Sequence, residues 1–297
     1  MRDEEDMEFI RKLQVPVLSA AYADVSRGYL TEGVSMVPMD DVPPIRKTER
    51  HVEISAVERY PHGLKHLLDV TKSISMMDDT HVSRLNDISD ASLCELEECM
   101  LRRCHQMICV FRLWEDVRHP LTNACVSHLK SLEYFYVGHY NLYALKHLRL
   151  EHCPRLEGVV THDSALPSLV TLDIPFCYNL KAIFSDRYVS NPGSYQLPGL
   201  RRMHLQELPL LKHLHVVDDA IITAPAWKEL HVRGCWSLRR LPRLTKMAAV
   251  KVSGEQAWWR NTSTIDACSD AGLEIAVAGT RRSATGSSAT PKRWRSS

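Results

Sequence analysis

The architecture of this chain follows from the segment Leu145-Lys-His-Leu-Arg-Leu-Glu-His-Cys-Pro-Arg-Leu-Glu-Gly-Val159. The same apolar spacing returns in Leu169-Val-Thr-Leu-Asp-Ile-Pro-Phe-Cys-Tyr-Asn-Leu-Lys-Ala-Ile183 and in Trp227-Lys-Glu-Leu-His-Val-Arg-Gly-Cys-Trp-Ser-Leu-Arg-Arg-Leu241. In each segment, an apolar-x-apolar pair indicates a short strand with two inward side chains, and the cysteine that follows indicates a turn. The three segments therefore predict structural repeats in tandem.

The spacing L-x-x-L-x-L-x-x-C-x-x-L-x-x-L is typical of leucine-rich repeats. A fourth segment starts at Leu200 and has Leu208 in place of the cysteine, while looser copies lie at Leu96 and, in part, at Leu129. A last strand is expected over Met247, Val250 and Val252. We expect an α/β fold: a leucine-rich-repeat solenoid forming an irregular horseshoe arc, with a short parallel sheet on its concave face and disordered ends.

The chain divides into three regions by composition and pattern. Residues 61–260 are expected to form the repeat domain, with the clearest repeats over 145–259. Residues 1–60 read as a linker or remnant segment without an assigned role. Residues 261–297 are a basic tail rich in Ser and Thr, and this composition predicts disorder because it offers little apolar surface to bury.

Charge and hydropathy exclude several kinds of partner. The 37 basic and 36 acidic side chains nearly balance, so a nucleic-acid partner is not expected. No apolar stretch is long enough to cross a bilayer, and no secretory signal precedes the repeats. We therefore expect a cytoplasmic protein without a membrane partner, with the nucleus as a further possible location, and nine cysteines that stay reduced.

Four cysteines share one position of the repeat, namely Cys104, Cys153, Cys177 and Cys235. Leucine-rich repeats place Asn or Cys at this position, inside the turn after the strand, so these thiols are predicted to be buried and structural rather than metal ligands. Phosphate-binding glycine loops, zinc-protease motifs and nucleophile elbows are missing from the sequence. The sequence thus predicts no catalytic residue, no metal and no cofactor, and the chain is expected not to be an enzyme.

A candidate binding surface follows from the alternation of side chains along each strand. The residue between the two inward anchors must face the concave side, which predicts a central column of Arg149, Asp173, His204, His231 and Lys251. Two flanking columns follow, one of His147, Thr171, Arg202 and Glu229, the other of Glu151, Pro175, Gln206 and Arg233. We expect these side chains to be solvated and to contact a protein partner, because solenoids use this face for recognition.

The repeats, the Leu-Pro-x-Leu that precedes two of them and the closing Glu255-Gln-Ala-Trp-Trp259 resemble a known family. They are similar to the C-terminal region of plant nucleotide-binding leucine-rich-repeat immune receptors of the coiled-coil type. The resemblance covers about residues 61–260. It implies a recognition module for defence, whose partner is a pathogen effector, a host target or the receptor's own signalling domains. Nothing matches the nucleotide-binding switch, so the resemblance implies a module without it.

Two other functions stay open at this point. The chain could be the substrate-recognition subunit of a ubiquitin ligase, as in F-box-type leucine-rich-repeat proteins, although residues 1–60 show no convincing F-box pattern. It could also be a non-functional truncated receptor.

Overall fold

The computed structural model of the chain describes residues 50–55, 60, 64–88, 93–113, 119–138, 142–161, 166–185, 194–215, 221–239, 241, 243–244, 250–255, 258 and 274–278. Its regular elements are almost entirely short strands. In chain order these are β1 (His51–Ser55), β2 (Ser73–Met77), β3 (Glu98–Arg102), β4 (Cys109–Leu113), β5 (Asn123–Ser127), β6 (Tyr134–Gly138), β7 (His147–Glu151), β8 (Gly158–Thr161), β9 (Thr171–Pro175), β10 (Ala182–Ser185), β11 (Ser194–Gln196), β12 (Arg202–Gln206), β13 (His213–His215), β14 (Ile221–Thr223), β15 (Glu229–Arg233), β16 (Arg243–Leu244), β17 (Lys251–Glu255) and β18 (Glu274–Ala278).

These strands wind into a parallel β-solenoid, which confirms the predicted leucine-rich-repeat architecture. One strand of each repeat joins a ten-stranded parallel sheet in the order β1-β2-β3-β5-β7-β9-β12-β15-β17-β18. The return segments form two smaller parallel sheets, β13-β10-β8-β6-β4 and β11-β14-β16. The described helical elements are short: α1 (Leu64–Asp69) and a 3-10 turn over Leu85–Ile88. No helix in the described ranges has the length and apolar character of a membrane span.

The core lies between the ten-stranded sheet and the return segments. In the repeat of β9, the strand anchors Leu172 and Ile174 and the return-segment residues Leu180 and Ile183 are all fully buried. Equivalent residues of neighbouring repeats stack at the strand spacing of about 4.8 Å, so the core continues from repeat to repeat. Each repeat therefore depends on its neighbours to cover its apolar edges.

The shared cysteine position is structural, as predicted. Cys104, Cys153, Cys177 and Cys235 are at most 1 % exposed. The Cys177 thiol lies 3.4 Å from the Leu150 carbonyl of the preceding repeat, and the Cys235 thiol lies 3.3 Å from the Arg233 carbonyl of its own repeat. The thiols thus donate to carbonyl groups inside the turn.

Two strands of the ten-stranded sheet, β1 and β18, lie outside residues 61–260. β1 lies before residue 61 and pairs with β2 over its full length, because Val52 and Ile54 supply two inward anchors. β18 falls within residues 261–297 and pairs in parallel with β17. The parts of the predicted linker and tail that lie outside the described residues are 1–49, 56–59, 261–273 and 279–297.

One repeat begins earlier than the sequence pattern indicated. The partial copy at Leu129 is the second half of a repeat whose strand is β5, with Ala124 and Val126 as inward anchors. Ala124 is small, and this concealed the strand in a search for leucine spacing.

The closing Trp258 is buried, and its indole nitrogen donates to the Leu238 carbonyl at 2.7 Å.

Candidate functional site

The concave face of the ten-stranded sheet carries three continuous columns of side chains. On each strand, every second residue faces the concave side. Parallel pairing sets each of these residues beside its counterpart on the next strand, and neighbouring strands are about 4.8 Å apart. The central column contains Ser75, Met100, Cys125, Arg149, Asp173, His204, His231 and Ser253. The pairing brings together Arg149, Asp173, His204 and His231 as predicted.

Lys251 does not belong to the central column, and this prediction was wrong. The pairing of β15 with β17 sets Lys251 beside Glu229 and sets Ser253 beside His231. Val252 and Gly254 are the inward positions of β17, whereas the sequence suggested Val250 and Val252. The two alternatives differ by two residues and keep the same side chains facing outward, so apolar alternation alone could not distinguish them.

Arg149 and Asp173 lie at the predicted positions but are not solvated, which corrects the expectation for this pair. Only 8 % of Arg149 and 5 % of Asp173 is exposed. The Arg149 guanidinium donates from Nη1 to the Asp173 carboxylate at 2.5 Å and from Nη2 to the Glu151 carboxylate at 2.8 Å. Neighbouring strands lie close enough for these long side chains to cover one another, and they form a compact ionic cluster.

The acidic members of this cluster have pKa values shifted in opposite directions. Burial raises the pKa of Asp173 to about 6, since the loss of hydration outweighs the attraction of Arg149. Burial also acts on Glu151, but a hydrogen bond with His152 and the charge of Arg149 together lower the pKa of Glu151 to about 2. Glu151 is therefore the permanent counter-ion of Arg149, and Asp173 is the member that takes up a proton in mild acid.

Beyond the ionic cluster, the column becomes rich in histidine. His204 and His231 contact each other edge to face, with ring centroids 4.6 Å apart. Nδ1 of His231 is hydrogen-bonded to the Ser253 hydroxyl, and Nε2 lies 3.8 Å from the Glu229 carboxylate. Burial and the neighbouring His204 lower the pKa of His231, so its imidazole is neutral at pH 7.

Glu229, His231 and Ser253 are the residue types of a hydrolytic triad, yet their arrangement does not support acyl transfer. The distance from Nε2 to the Glu229 carboxylate exceeds that of a hydrogen bond. The paired backbone of β15 and β17 uses its N–H groups within the sheet, so the strands around Ser253 offer no oxyanion donors. These residues form a polar surface on which hydrogen-bonding groups are held in place.

The flanking columns are also where the sequence placed them. One contains His147, Thr171, Arg202, Glu229 and Lys251 in register. Burial, and to a smaller extent the charge of Lys146, lower the pKa of His147, whereas Thr171 is almost fully buried. In the other column, Gln206 pairs with Pro175 and Arg233, and Arg233 lies 3.7 Å from Glu255. Pro175 is buried.

Sequence reasoning missed a further column at the turn after each concave strand. Arg103, His128, His152, Phe176 and Glu207 all have positive φ, between 50° and 62°. Their backbone N–H groups each donate to the end of the next strand, as from His128 to the Glu151 carbonyl at 2.9 Å. The rings of His128, His152 and Phe176 stack at centroid distances of 4.6 Å. The signal in the sequence is position: each residue directly precedes the cysteine-equivalent residue.

No group of three or more His, Cys, Asp or Glu side chains in the described part of the chain is arranged to hold a metal ion. The described concave face carries charged and hydrogen-bonding side chains in regular columns.

A known family model matches the central repeats. Residues 119–248 match the family model described as "Plant disease resistance protein RPS2-like, leucine-rich repeats". No curated protein and no solved structure gave a significant match to the chain. The matched range includes the ionic cluster and the two histidines of the central column.

Proposed function

We propose, from the premise that residues 119–248 are leucine-rich repeats of the plant disease resistance type, that this chain is a protein-recognition module in plant defence. The concave face from β7 to β17 is the recognition surface. It acts in the cytoplasm or nucleus on a pathogen effector, a host protein altered by one, or the signalling domains of a receptor. It binds without chemical conversion of its partner.

One observation carries this proposal: the concave columns have half-buried polar side chains at a fixed spacing. His204 and His231 are held by each other and by Ser253, while Arg202 and Gln206 flank them on β12. Because the side chains are already ordered, a partner that binds them loses less conformational entropy on association. Mixed charge favours a protein partner of complementary pattern over a polyanion.

The test compares two pairs of substitutions in affinity purification from plant tissue. His204→Ala with His231→Ala should remove specific partners, whereas Gln106→Ala with Lys130→Ala, on exposed turns outside the concave face, should retain them. Both variants should show the circular dichroism spectrum of the unaltered protein. If the concave variant retains every partner that the control retains, the recognition surface lies elsewhere.

A second measurement separates this proposal from the ubiquitin-ligase function. Purified ligase adaptor protein should not bind the chain in a pull-down experiment. Stoichiometric binding of the adaptor would instead support a substrate-recognition subunit. A non-functional product would retain no partner with either variant, and this outcome would also contradict the proposal.

A further inference from the structure

A second surface lies at the turns that follow the concave strands. Of the two positions after the cysteine-equivalent residue, at least one is exposed in each repeat from β2 to β15, and three consecutive repeats place a large apolar side chain at the exposed position. Tyr178, Leu210 and Trp236 are 47 %, 42 % and 50 % exposed. The three preceding repeats place Gln106, Lys130 and Arg155 at the same turn. Tyr178 and Trp236 occupy the first of the two positions and Leu210 the second. Single exposed apolar residues are common, whereas three on consecutive turns form an apolar ridge.

A column of charged residues runs beside this ridge, two to three residues further along each return segment. The charge of this column changes from negative to positive at the same repeat at which the turns become apolar. Glu133 and Glu157 precede the change, and Lys181, Lys212 and Arg239 follow it. The backbone N–H of Lys212 donates to the Lys181 carbonyl at 3.0 Å, just as Glu157 donates to Glu133 at 2.8 Å, so neighbouring members of the column lie on adjacent turns.

We propose that Tyr178, Leu210 and Trp236, together with Lys181, Lys212 and Arg239, form a docking surface for an acidic amphipathic helix of another protein. The sign of the basic column selects an acidic partner, and the apolar ridge selects one with an apolar stripe. This surface lies outside the concave face and goes beyond the recognition role proposed for that face.

The spacing of the repeats favours a helix over an extended segment. Adjacent turns of the solenoid are separated by about 4.8 Å, and successive turns of an α-helix by about 5.4 Å. Apolar residues at positions i, i+4 and i+7 of a helix can therefore reach Tyr178, Leu210 and Trp236 in order. Side chains on one face of an extended strand are about 6.6 Å apart, and they fall out of step with the repeats within two turns.

The probe is a synthetic stapled helix of about 18 residues with Leu at i, i+4, i+7 and i+11 and Glu at the flanking positions. Its affinity for the full chain is measured by fluorescence anisotropy, near physiological salt. Tyr178→Ser/Leu210→Ser/Trp236→Ser and Lys181→Glu/Lys212→Glu/Arg239→Glu should each weaken binding about tenfold or more. A helix with Lys in place of every Glu should bind at least as weakly.

The chain offers matched controls for both triple variants. Val70→Ser/Ile108→Ser/Tyr143→Ser removes apolar side chains of similar exposure, 50 %, 47 % and 51 %. Lys65→Glu/Lys130→Glu/Lys228→Glu makes the same charge change at other exposed sites. Neither control should change the affinity by more than about twofold, and His204→Ala/His231→Ala should leave it unchanged, which separates this surface from the concave face.

Four outcomes would overturn the proposal. The unaltered chain could fail to bind the acidic helix, or the matched controls could weaken binding as much as the test variants. Removal of the acidic Met1–Glu8 could raise the affinity about tenfold, which would identify the chain's own beginning as the occupant. Light scattering could show a dimer that the apolar triple variant dissociates, in which case the ridge pairs with a second copy.

Discussion

The Arg149 guanidinium lies 2.5 Å from the Asp173 carboxylate on the neighbouring strand, and both side chains are buried in the concave face. Glu151 completes the cluster from the strand of Arg149 itself. Two carboxylates and one guanidinium thus share a site from which water is largely excluded. The concave face therefore has a rigid ionic centre at β7 and β9 and a histidine-rich surface at β12 and β15.

Replacing Arg149 by alanine should destabilise the chain by about 3 kcal/mol or more at pH 7, because Asp173 would be left as a buried, unpaired charge. The loss should shrink near pH 5, where Asp173 takes up a proton. Urea unfolding at pH 7 and at pH 5 measures the loss of stability. His204→Ala, which leaves no buried charge behind, is the control and should cost less than about 1 kcal/mol. Equal midpoints for the two variants would show that Arg149 is solvated after all.

Asp173 should make stability depend on pH in mild acid. Its folded-state pKa of about 6 lies above the ordinary value of 3.8, so the folded chain binds the proton more tightly than the unfolded chain. The stabilisation from this proton is complete below about pH 4 and is lost as the pH rises to about 6. Asp173→Asn cannot titrate, so the unfolding free energy of the unaltered chain should fall relative to this variant across that range. Parallel pH profiles for the two proteins would contradict the assignment.

Leu172→Ala should cost roughly 2–5 kcal/mol, because Leu172 is fully buried and its removal leaves a cavity between adjacent repeats. Thermal unfolding followed by circular dichroism gives the loss. Lys251→Ala, an exposed change on the opposite face of the same sheet, should shift the midpoint only slightly. A small effect of Leu172→Ala would mean that the strand register is wrong.

The buried thiols should react slowly in the native protein. Burial raises the pKa of Cys235 to about 12 and raises the pKa of Cys177 well above its usual value, and the thiolate is the reactive form. Labelling with a maleimide, followed by mass spectrometry, should modify exposed Cys94 first. Cys153, Cys177 and Cys235 should become reactive only in denaturant. Rapid labelling of these three thiols in the native protein would contradict their burial inside the turns.

Gly234→Ala should destabilise the chain by about 1–2 kcal/mol, mainly through backbone strain, because the Glu207 carboxylate that a Cβ atom would meet is the end of a flexible side chain. Gly234 has φ of +62°, where an L side chain is strained, and a Cβ atom there would lie 2.6 Å from the Glu207 side chain. The double variant Glu207→Ala/Gly234→Ala removes the steric conflict and keeps the backbone strain. In urea unfolding, Gly234→Ala should therefore cost nearly as much in the Glu207→Ala background as in the unaltered chain. A much smaller cost in that background would mean that Glu207 does not move aside freely.

Much of this architecture could be predicted from local patterns. The leucine spacing predicted the parallel sheet, the inward anchors and the buried cysteines, because each depends only on strand alternation and on a turn at a constant position. The same alternation predicted that Arg149, Asp173, His204 and His231 share a column. It failed at β5 and β17, where small or unevenly spaced anchors, such as Ala124 and Gly254, left the register open.

Local alternation along each strand sets which side chains face inward and which face outward, since a strand has a period of two whatever surrounds it. Which outward residues meet water depends on the packing of neighbouring repeats. Arg149 and Asp173 are outward and buried, because strands in register set opposite charges side by side, and His128, His152 and Phe176 stack because successive turns repeat at the spacing of the strands. The ion pair and the ring stacking each join residues more than twenty positions apart in the chain. They form only when neighbouring repeats pack against each other.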